Sequence, residues 1–320
     1  MKALVYSRFG AADCLRLEQL PAPVPTAGQA LVEVVGAGLN PIDVKTRAGK
    51  GFVAQQLGEA FQFVPGYDLA GTLVEAAGEW SAGTPVIGMV NLPLGAGACA
   101  QLCAAELDEL VLAPTNMTLA DAAGLPLAGL TAWQGLFQHG NLDADGRNSQ
   151  RRVLILAGAG GVGHLAVQLG AWAGAEVAAT VSPPNHDFLC GLGATQCFDY
   201  RDPQSLAAAA PWDLILDLMG GEVGKQALPW LAAGGVMLTV PTITAAELIA
   251  AGEAQGKRVL GYTVQTNREQ LQQLVALVEA GHLHLHVGQR FTLQRAVAAH
   301  QQLETGHSKG KVILEIPLGS

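Results

Sequence analysis

Val153-Leu-Ile-Leu-Ala-Gly-Ala-Gly-Gly-Val-Gly163 decides how the rest of the chain is read. Val153–Ala157 is a continuous apolar run, as expected of a parallel strand buried on both faces. Gly158, Ala159, Gly160, Gly161, Val162 and Gly163 then satisfy G-x-G-x-x-G. Val162, Leu165, Ala166 and Leu169 recur beyond it at helical spacing. Strand, glycine turn and helix together give the motif a mechanism. One glycine permits the tight turn, one lets backbone approach a pyrophosphate, and one brings helix against strand. The helix N-terminus adds free amides and a positive dipole end. The six residues Gly158–Gly163 are therefore read as a dinucleotide site.

Downstream, Val177–Val181, Cys197–Tyr200, Leu214–Asp217, Val236–Val240 and Val259–Tyr262 continue the strand series, with helical stretches between most of them. Six strands alternating with helices make an α/β, doubly wound parallel sheet. The choice of dinucleotide rests on the end of its second strand, where an NAD site carries Asp or Glu for the ribose hydroxyls. Here that end reads Thr180-Val181-Ser182, and the nearby acid, Glu176, stands at the strand's other end. Missing acid and available hydroxyls at Thr180 and Ser182 favour NADP(H), with Asn185, Tyr200 and Arg201 as further contacts.

Upstream, the chain to about residue 120 is strand-like and turn-rich. Ala3–Tyr6, Ala30–Val35 and Leu69–Glu75 are short apolar or alternating runs, and Pro21, Pro23 and Pro25 form an extended connector. Asn141–Arg152 reads as a loop before the first sheet strand. Near the end, Leu271, Leu274, Val275 and Val278 mark an amphipathic helix stopped by Gly281. Phe291–Ser320 follows as a helix and a last strand, Lys311–Ile316. The expected division is a β-rich part over 1–121, a nucleotide-binding domain over 122–265, and a return to the β-rich part over 266–320.

Composition fits this. A chain of 320 residues exceeds what one core usually serves. Half its residues are apolar, 14% are charged and 40 are glycine, which excludes disorder. A net charge of −9 argues against nucleic acid or an acidic membrane surface as partner. Ser81–Ala105, Ala122–Leu142 and Val153–Ala175 carry no Asp, Glu, Lys or Arg, but Gly, Pro and polar residues interrupt each, unlike a lipid-spanning helix. Met1–Gly10 lacks a long apolar signal core. The cysteines stand at 14, 99, 103, 190 and 197 without a CxxC pair, so a reducing, cytoplasmic setting is expected.

With these residues in place the sequence resembles the zinc-free quinone oxidoreductase and enone reductase branch of the medium-chain dehydrogenase/reductase superfamily. The resemblance runs over nearly the whole chain. Its most specific stretches are Asn40–Gly49 (NPIDVKTRAG), Val64–Gly71 (VPGYDLAG), Leu130–Trp133 (LTAW), the glycine turn, Phe198–Tyr200 and Gly306–Val312 (GHSKGKV). It implies a six-stranded Rossmann sheet inserted in a β-rich GroES-like catalytic domain, with the active site in the cleft between them. It also implies a homodimer, joined through an edge strand of the nucleotide sheet.

Zinc relatives carry Gly-His-Glu where this chain has Gly66-Tyr67-Asp68, together with an early catalytic cysteine and a lobe of four close cysteines. Cys14 lies too far upstream, and Cys99 with Cys103 make only a pair, so no metal site is expected. His282, His284 and His286 would share one face if Leu283–Val287 is extended, but no carboxylate flanks them. His139 and His164 read as packing or surface residues.

Chemistry then falls to the cofactor: hydride transfer from nicotinamide to a quinone or to the β-carbon of an enone. Lys45 is the candidate for polarising the carbonyl oxygen or delivering the proton; the bland alternative is a lysine pairing with Asp43 or Asp68. By resemblance Asn40 would sit near the nicotinamide ribose and the substrate, and Tyr67, in place of the zinc-binding histidine, would line the pocket, so both join Lys45 as catalytic-site candidates. Thr131, Val240, Val264 and Lys309 would contact the cofactor or the cleft, and Asp43 and Asp68 would brace the site. Two other functions fit the same motifs: reduction of a simple aldehyde or ketone (or alcohol oxidation), and non-catalytic NADPH binding as in a sensor or crystallin-like protein.

Overall fold

The computed structural model describes residues 1–58, 60–95 and 97–317. Strands are numbered in chain order. β1 (Lys2–Val5) and β2 (Arg16–Gln19) form an antiparallel pair. A seven-stranded sheet holds β3 (Gln29–Leu39), β4 (Asp68–Leu73), β5 (Pro85–Met89), β6 (Leu102–Glu106) and β7 (Leu110–Leu112), closed by two strands from the C-terminal part, described below. β3 organises it. One edge of β3 pairs antiparallel with β4, and its first half pairs antiparallel with β6 on the other edge.

The second sheet contains β8 (Arg152–Ile155), β9 (Glu176–Thr180), β10 (Gln196–Phe198), β11 (Trp212–Asp217), β12 (Leu231–Thr239) and β13 (Arg258–Gly261). All six are parallel, in the order β10-β9-β8-β11-β12-β13. That is the doubly wound order 3-2-1-4-5-6, whose switch point lies between the first and fourth strands. Its central strands read as apolar runs because both faces are covered. Leu154, Ala178, Trp212, Ile215, Met237 and Leu248 lie in one buried cluster.

The helix Arg268–Glu279 buries Leu271, Leu274, Val275 and Val278, the face its period requires; the Asn267 side chain caps its start, accepting from Gln270 N. Gly281 follows at φ +74°, a conformation that favours glycine. After it the chain makes β14 (Val287–Thr292), the helix Ala296–Glu304 and β15 (Lys311–Glu315). β14 runs parallel to β15, and β15 pairs antiparallel with the last residues of β3. β14 is a correction to the sequence reading, which begins regular structure only at Phe291. Its residues Val287-Gly-Gln-Arg-Phe-Thr292 lie at the sheet edge, mostly exposed, so no apolar alternation marks them. β5, β6 and β7 likewise add to the strands singled out above, and β4 ends at Leu73 rather than at Glu75.

The chain forms two compact units: Met1–Leu130 with Thr266–Gly281 and Leu285–Ser320, and Thr131–Gln265 with His282–His284. Residues 122–130, read from the sequence as the start of the nucleotide domain, thus group with the β-rich unit. The reason is close contact with β3. A Cβ on Gly38 would stand 2.3 Å from the Ala123 carbonyl oxygen, so glycine is required where this segment crosses the strand. No helix among the described residues is long and apolar enough to cross a membrane.

Candidate active site

In the β-rich unit, sheet register brings three side chains together. Gly38 faces Asp68 across β3 and β4, and Leu39 faces Val312 across β3 and β15. Asn40 leaves the end of β3, Asp68 begins β4 and Lys311 begins β15, so all three meet at one end of the sheet. The Lys311 ammonium donates to Leu39 O at 3.1 Å, to Asp68 Oδ2 at 3.3 Å and to Asn40 Oδ1. Asn40 Nδ2 donates to Asp68 Oδ2 at 2.8 Å and to Gly38 O at 3.2 Å. Asp68 Oδ1 accepts from Leu127 N at 2.6 Å. Every N–H of the buried ammonium is used, and both carboxylate oxygens are satisfied. That is the condition for a buried charged group to persist.

Asp43 lies in the helix Pro41–Arg47, which starts directly after Asn40. Its carboxylate accepts from Asn40 N at 2.8 Å and from Gly66 N at 3.0 Å, tying the helix start to the loop before β4. Burial pushes Asp43 up to about 7, against the pull of those two hydrogen bonds. Burial also raises Asp68, opposed mainly by Lys311. Tyr67 is fully buried and donates its hydroxyl proton to Pro93 O at 2.7 Å.

Lys45 stands two residues past Asp43, on another face of the same helix. Its side chain pairs with neither Asp43 nor Asp68 and meets no partner among the described residues; burial lowers its pKa. The partner of Asp68 is Lys311 instead. The sequence reading singles out Lys309 and passes over Lys311. Period-two spacing in Lys309-Gly-Lys311 before an apolar strand is a signal that fits either lysine.

In the second unit, the glycine turn joins β8 to the helix Gly163–Trp172. A Cβ on Gly158 would press within 2.6 Å of the Ala179 Cβ, and one on Gly163 would stand 2.3 Å from Ala157 O. Both glycines are demanded by the protein's own packing. Gly160 differs: its Cβ would meet only Ala157 O, at 3.3 Å. The amides of Ala159, Gly161 and Val162 have no partner among the described residues, which leaves them free for an anion. His164 Nδ1 lies 2.9 Å from Gly160 O and helps hold the turn. Thr180 Oγ1 accepts from Ala157 N at 2.9 Å, so its lone pair serves the same purpose.

Beyond β9, Asn185 Nδ2 donates to Ser182 Oγ at 3.1 Å, and Val181 N donates to Phe198 O at 2.8 Å. Ser182 and Asn185 therefore follow the carboxyl end of β9, where it pairs with the end of β10. Tyr200 is exposed beneath the Arg201 guanidinium, which is itself bound to the Asp199 carboxylate. Thr131 is buried, with its carbonyl accepting from Tyr262 OH at 2.7 Å. Val240 and Val264 are half-buried in the same unit; Lys309, half-buried, lies in the other.

Zinc does not fit these residues. Among the described residues no three of His, Cys, Asp and Glu converge as ligands would. Tyr67 is turned to a carbonyl, and Cys99 is fully buried with its thiol held protonated by burial. His282 and His284 are exposed around a buried Leu283, and the main chain of His284 exchanges two hydrogen bonds with the Gln168 amide.

A six-stranded Rossmann sheet in one unit, and Asn-Pro-x-Asp and Gly-Tyr-Asp motifs in a β-rich other, define a medium-chain dehydrogenase/reductase. The family comparisons agree. A model described as "Alcohol dehydrogenase GroES-like domain" matches residues 26–137, and one described as "Zinc-binding dehydrogenase" matches 192–314. A quinone-oxidoreductase homolog of Spinacia oleracea chloroplasts is 31% identical over 98% of each chain. A chloroplastic NADPH-dependent alkenal/one oxidoreductase of Arabidopsis thaliana is 33% identical, over 98% of this chain and 79% of its own. The solved quinone oxidoreductase of Coxiella burnetii superposes with TM-score 0.93 at 39% identity, covering 99% of both chains. The chain belongs to the quinone oxidoreductase family of the medium-chain dehydrogenase/reductase superfamily.

Proposed function

We propose that this protein transfers hydride from NADPH to a quinone or to the β-carbon of an α,β-unsaturated carbonyl compound, without zinc. The observation that carries the reading is the buried Asn40–Asp68–Lys311 set beside Tyr67. It supplies charge and hydrogen bonds but neither a metal-ligand set nor an activated nucleophile. Bound NADPH would supply the reductant itself. Full-length similarity to proteins named for quinone and alkenal/one reduction supports the same reading.

Gly158–Gly163 would hold the pyrophosphate through free amides. Ser182, Asn185 and Tyr200 would surround the 2′-phosphate, with Thr180 fixing the turn behind it. Thr131, Val240, Val264 and Lys309 are assigned as further cofactor contacts. Lys45, half-buried and without an ion-pair partner, would polarise the acceptor oxygen or deliver a proton to the enolate or hydroquinone anion. Asn40 is assigned to positioning, since both ends of its amide are held by the network. Tyr67 would line the substrate pocket. A cytoplasmic homodimer, joined at an edge of the parallel sheet, completes the reading.

Loss of NADPH absorbance with a panel of quinones and enones, repeated with NADH and with a chelator, is the test. Chelator-insensitive turnover that prefers NADPH is expected. Loss of activity with chelator would overturn the zinc-free mechanism. Turnover confined to simple ketones or alcohols would move the protein to the alcohol dehydrogenase reading. Binding of NADPH with no acceptor reduced would make it a non-catalytic binder.

A further inference from the structure

Two of the five cysteines meet. Cys190 Sγ and Cys197 Sγ lie 3.9 Å apart, one on the helix His186–Gly191 and the other on β10. Cys190 is exposed and Cys197 half-buried, whereas Cys14, Cys99 and Cys103 are buried and contribute no second pair of this kind among the described residues. Sequence spacing does not announce the contact, because six residues and a turn separate the two thiols. We infer that Cys190 and Cys197 form a reversible redox pair, closed to a disulfide by hydroperoxides.

The exposed thiol starts the reaction. The Cys190 thiolate attacks a peroxide oxygen, an S–O bond forms as the O–O bond breaks, and hydroxide leaves as water after taking a proton. Cys197 then attacks the sulfenic sulfur. The S–S bond forms, the S–O bond breaks, and the second water leaves with the remaining thiol proton. Two thiols lose two hydrogens, and one hydrogen peroxide becomes two waters. Burial first, then the neighbouring thiol, push Cys197 up to about 12, which suits the second, resolving role better than the first.

The pair sits behind the loop assigned above to the 2′-phosphate. Cys197 Sγ is 3.8 Å from His186 O, at the start of the helix that follows Ser182–Asn185. Closing the sulfurs from 3.9 Å to the disulfide distance of about 2.0 Å draws that helix toward β10. The loop must follow, because Asn185 is bonded both to its own helix by the chain and to Ser182 by its side chain. This coupling rests on the cofactor assignment; the disulfide does not.

The full-length protein is treated with hydrogen peroxide, quenched, alkylated, digested and mapped by mass spectrometry. A cross-link between the Cys190 and Cys197 peptides, reversed by dithiothreitol and absent in Cys190→Ser and Cys197→Ser, is expected. Both thiols recovered in alkylated form, or Cys190 driven to sulfinic acid with no cross-link, would overturn the pair. NADPH titration by fluorescence reads the coupling, with Kd expected to rise several-fold on oxidation in wild type and to stay level in Cys190→Ser. A cross-linked protein with unchanged Kd overturns the coupling alone. A reduced protein that binds no NADPH overturns the cofactor assignment and the coupling with it, while the peptide map still decides the disulfide.

Discussion

Lys311 Nζ lies 3.3 Å from Asp68 Oδ2, with side chains 2% and 0% exposed, although the two stand 243 positions apart in the chain. A charge pair so deeply buried is held by mutual satisfaction, and removing one partner strands the other. Lys311→Met is expected to lower stability by about 3–5 kcal/mol. Urea unfolding of both proteins checks this. A loss under about 1 kcal/mol would place the pair in the range of solvated surface bridges.

Asp43 makes stability depend on pH in the unusual direction for a carboxyl. Its folded pKa, about 7, lies above the unfolded value near 3.9, so the folded state binds the proton more tightly. The destabilisation is absent below the unfolded pKa, grows between the two values and is complete above about pH 7. Asp68 and Lys311 face the same carboxylate and act in opposite senses. Asp43→Asn should flatten the slope in that window. The measurement is Tm against pH for both proteins; a constant difference between the curves would mean that Asp43 does not titrate there.

The glycines of the turn should separate by substitution. Gly163→Ala brings a Cβ to 2.3 Å from backbone, so loss of fold stability is expected. Gly160→Ala meets only one oxygen, at 3.3 Å, and should fold nearly normally while NADPH affinity drops at least tenfold. Calorimetry paired with NADPH titration distinguishes the two. Equal effects of Gly160→Ala on folding and binding would argue for a purely structural turn.

Lys45→Ala should lower kcat by about a hundredfold with NADPH affinity unchanged, the usual scale for losing a general acid. Lys45 makes no ion pair among the described residues, so little stability should be lost with it. Steady-state kinetics on the best acceptor, beside a thermal melt, carry the test. An unaltered kcat removes Lys45 from the mechanism.

Cofactor preference should respond to Ser182. A carboxylate at the end of β9 would repel a 2′-phosphate and accept from ribose hydroxyls. Ser182→Asp is therefore expected to reduce kcat/KM with NADPH at least tenfold and leave NADH turnover unharmed or improved. Equal losses with both cofactors would separate Ser182 from the 2′-phosphate.

Much of the architecture could be read without coordinates. Val153–Ala157 and Leu214–Asp217 are apolar at every or nearly every position because parallel strands are covered on both faces, and that pattern survives in one dimension. Gly158 and Gly163 are legible for a related reason: their clashes are with near neighbours in the chain or with the adjacent strand. β14 was illegible, since an exposed edge strand has no buried face to write an alternation.

What the residues determined alone was local: strand periods, the glycine turn and the missing acid after Val181. Tertiary structure decided which distant groups share a site. Register between β3, β4 and β15 selected Lys311 rather than Lys45 as the partner of Asp68. The approach of the helix His186–Gly191 to β10 put Cys190 against Cys197. Electrostatic and thiol contacts act over a few ångströms of space, whatever the separation along the chain, so only the folded arrangement could name them.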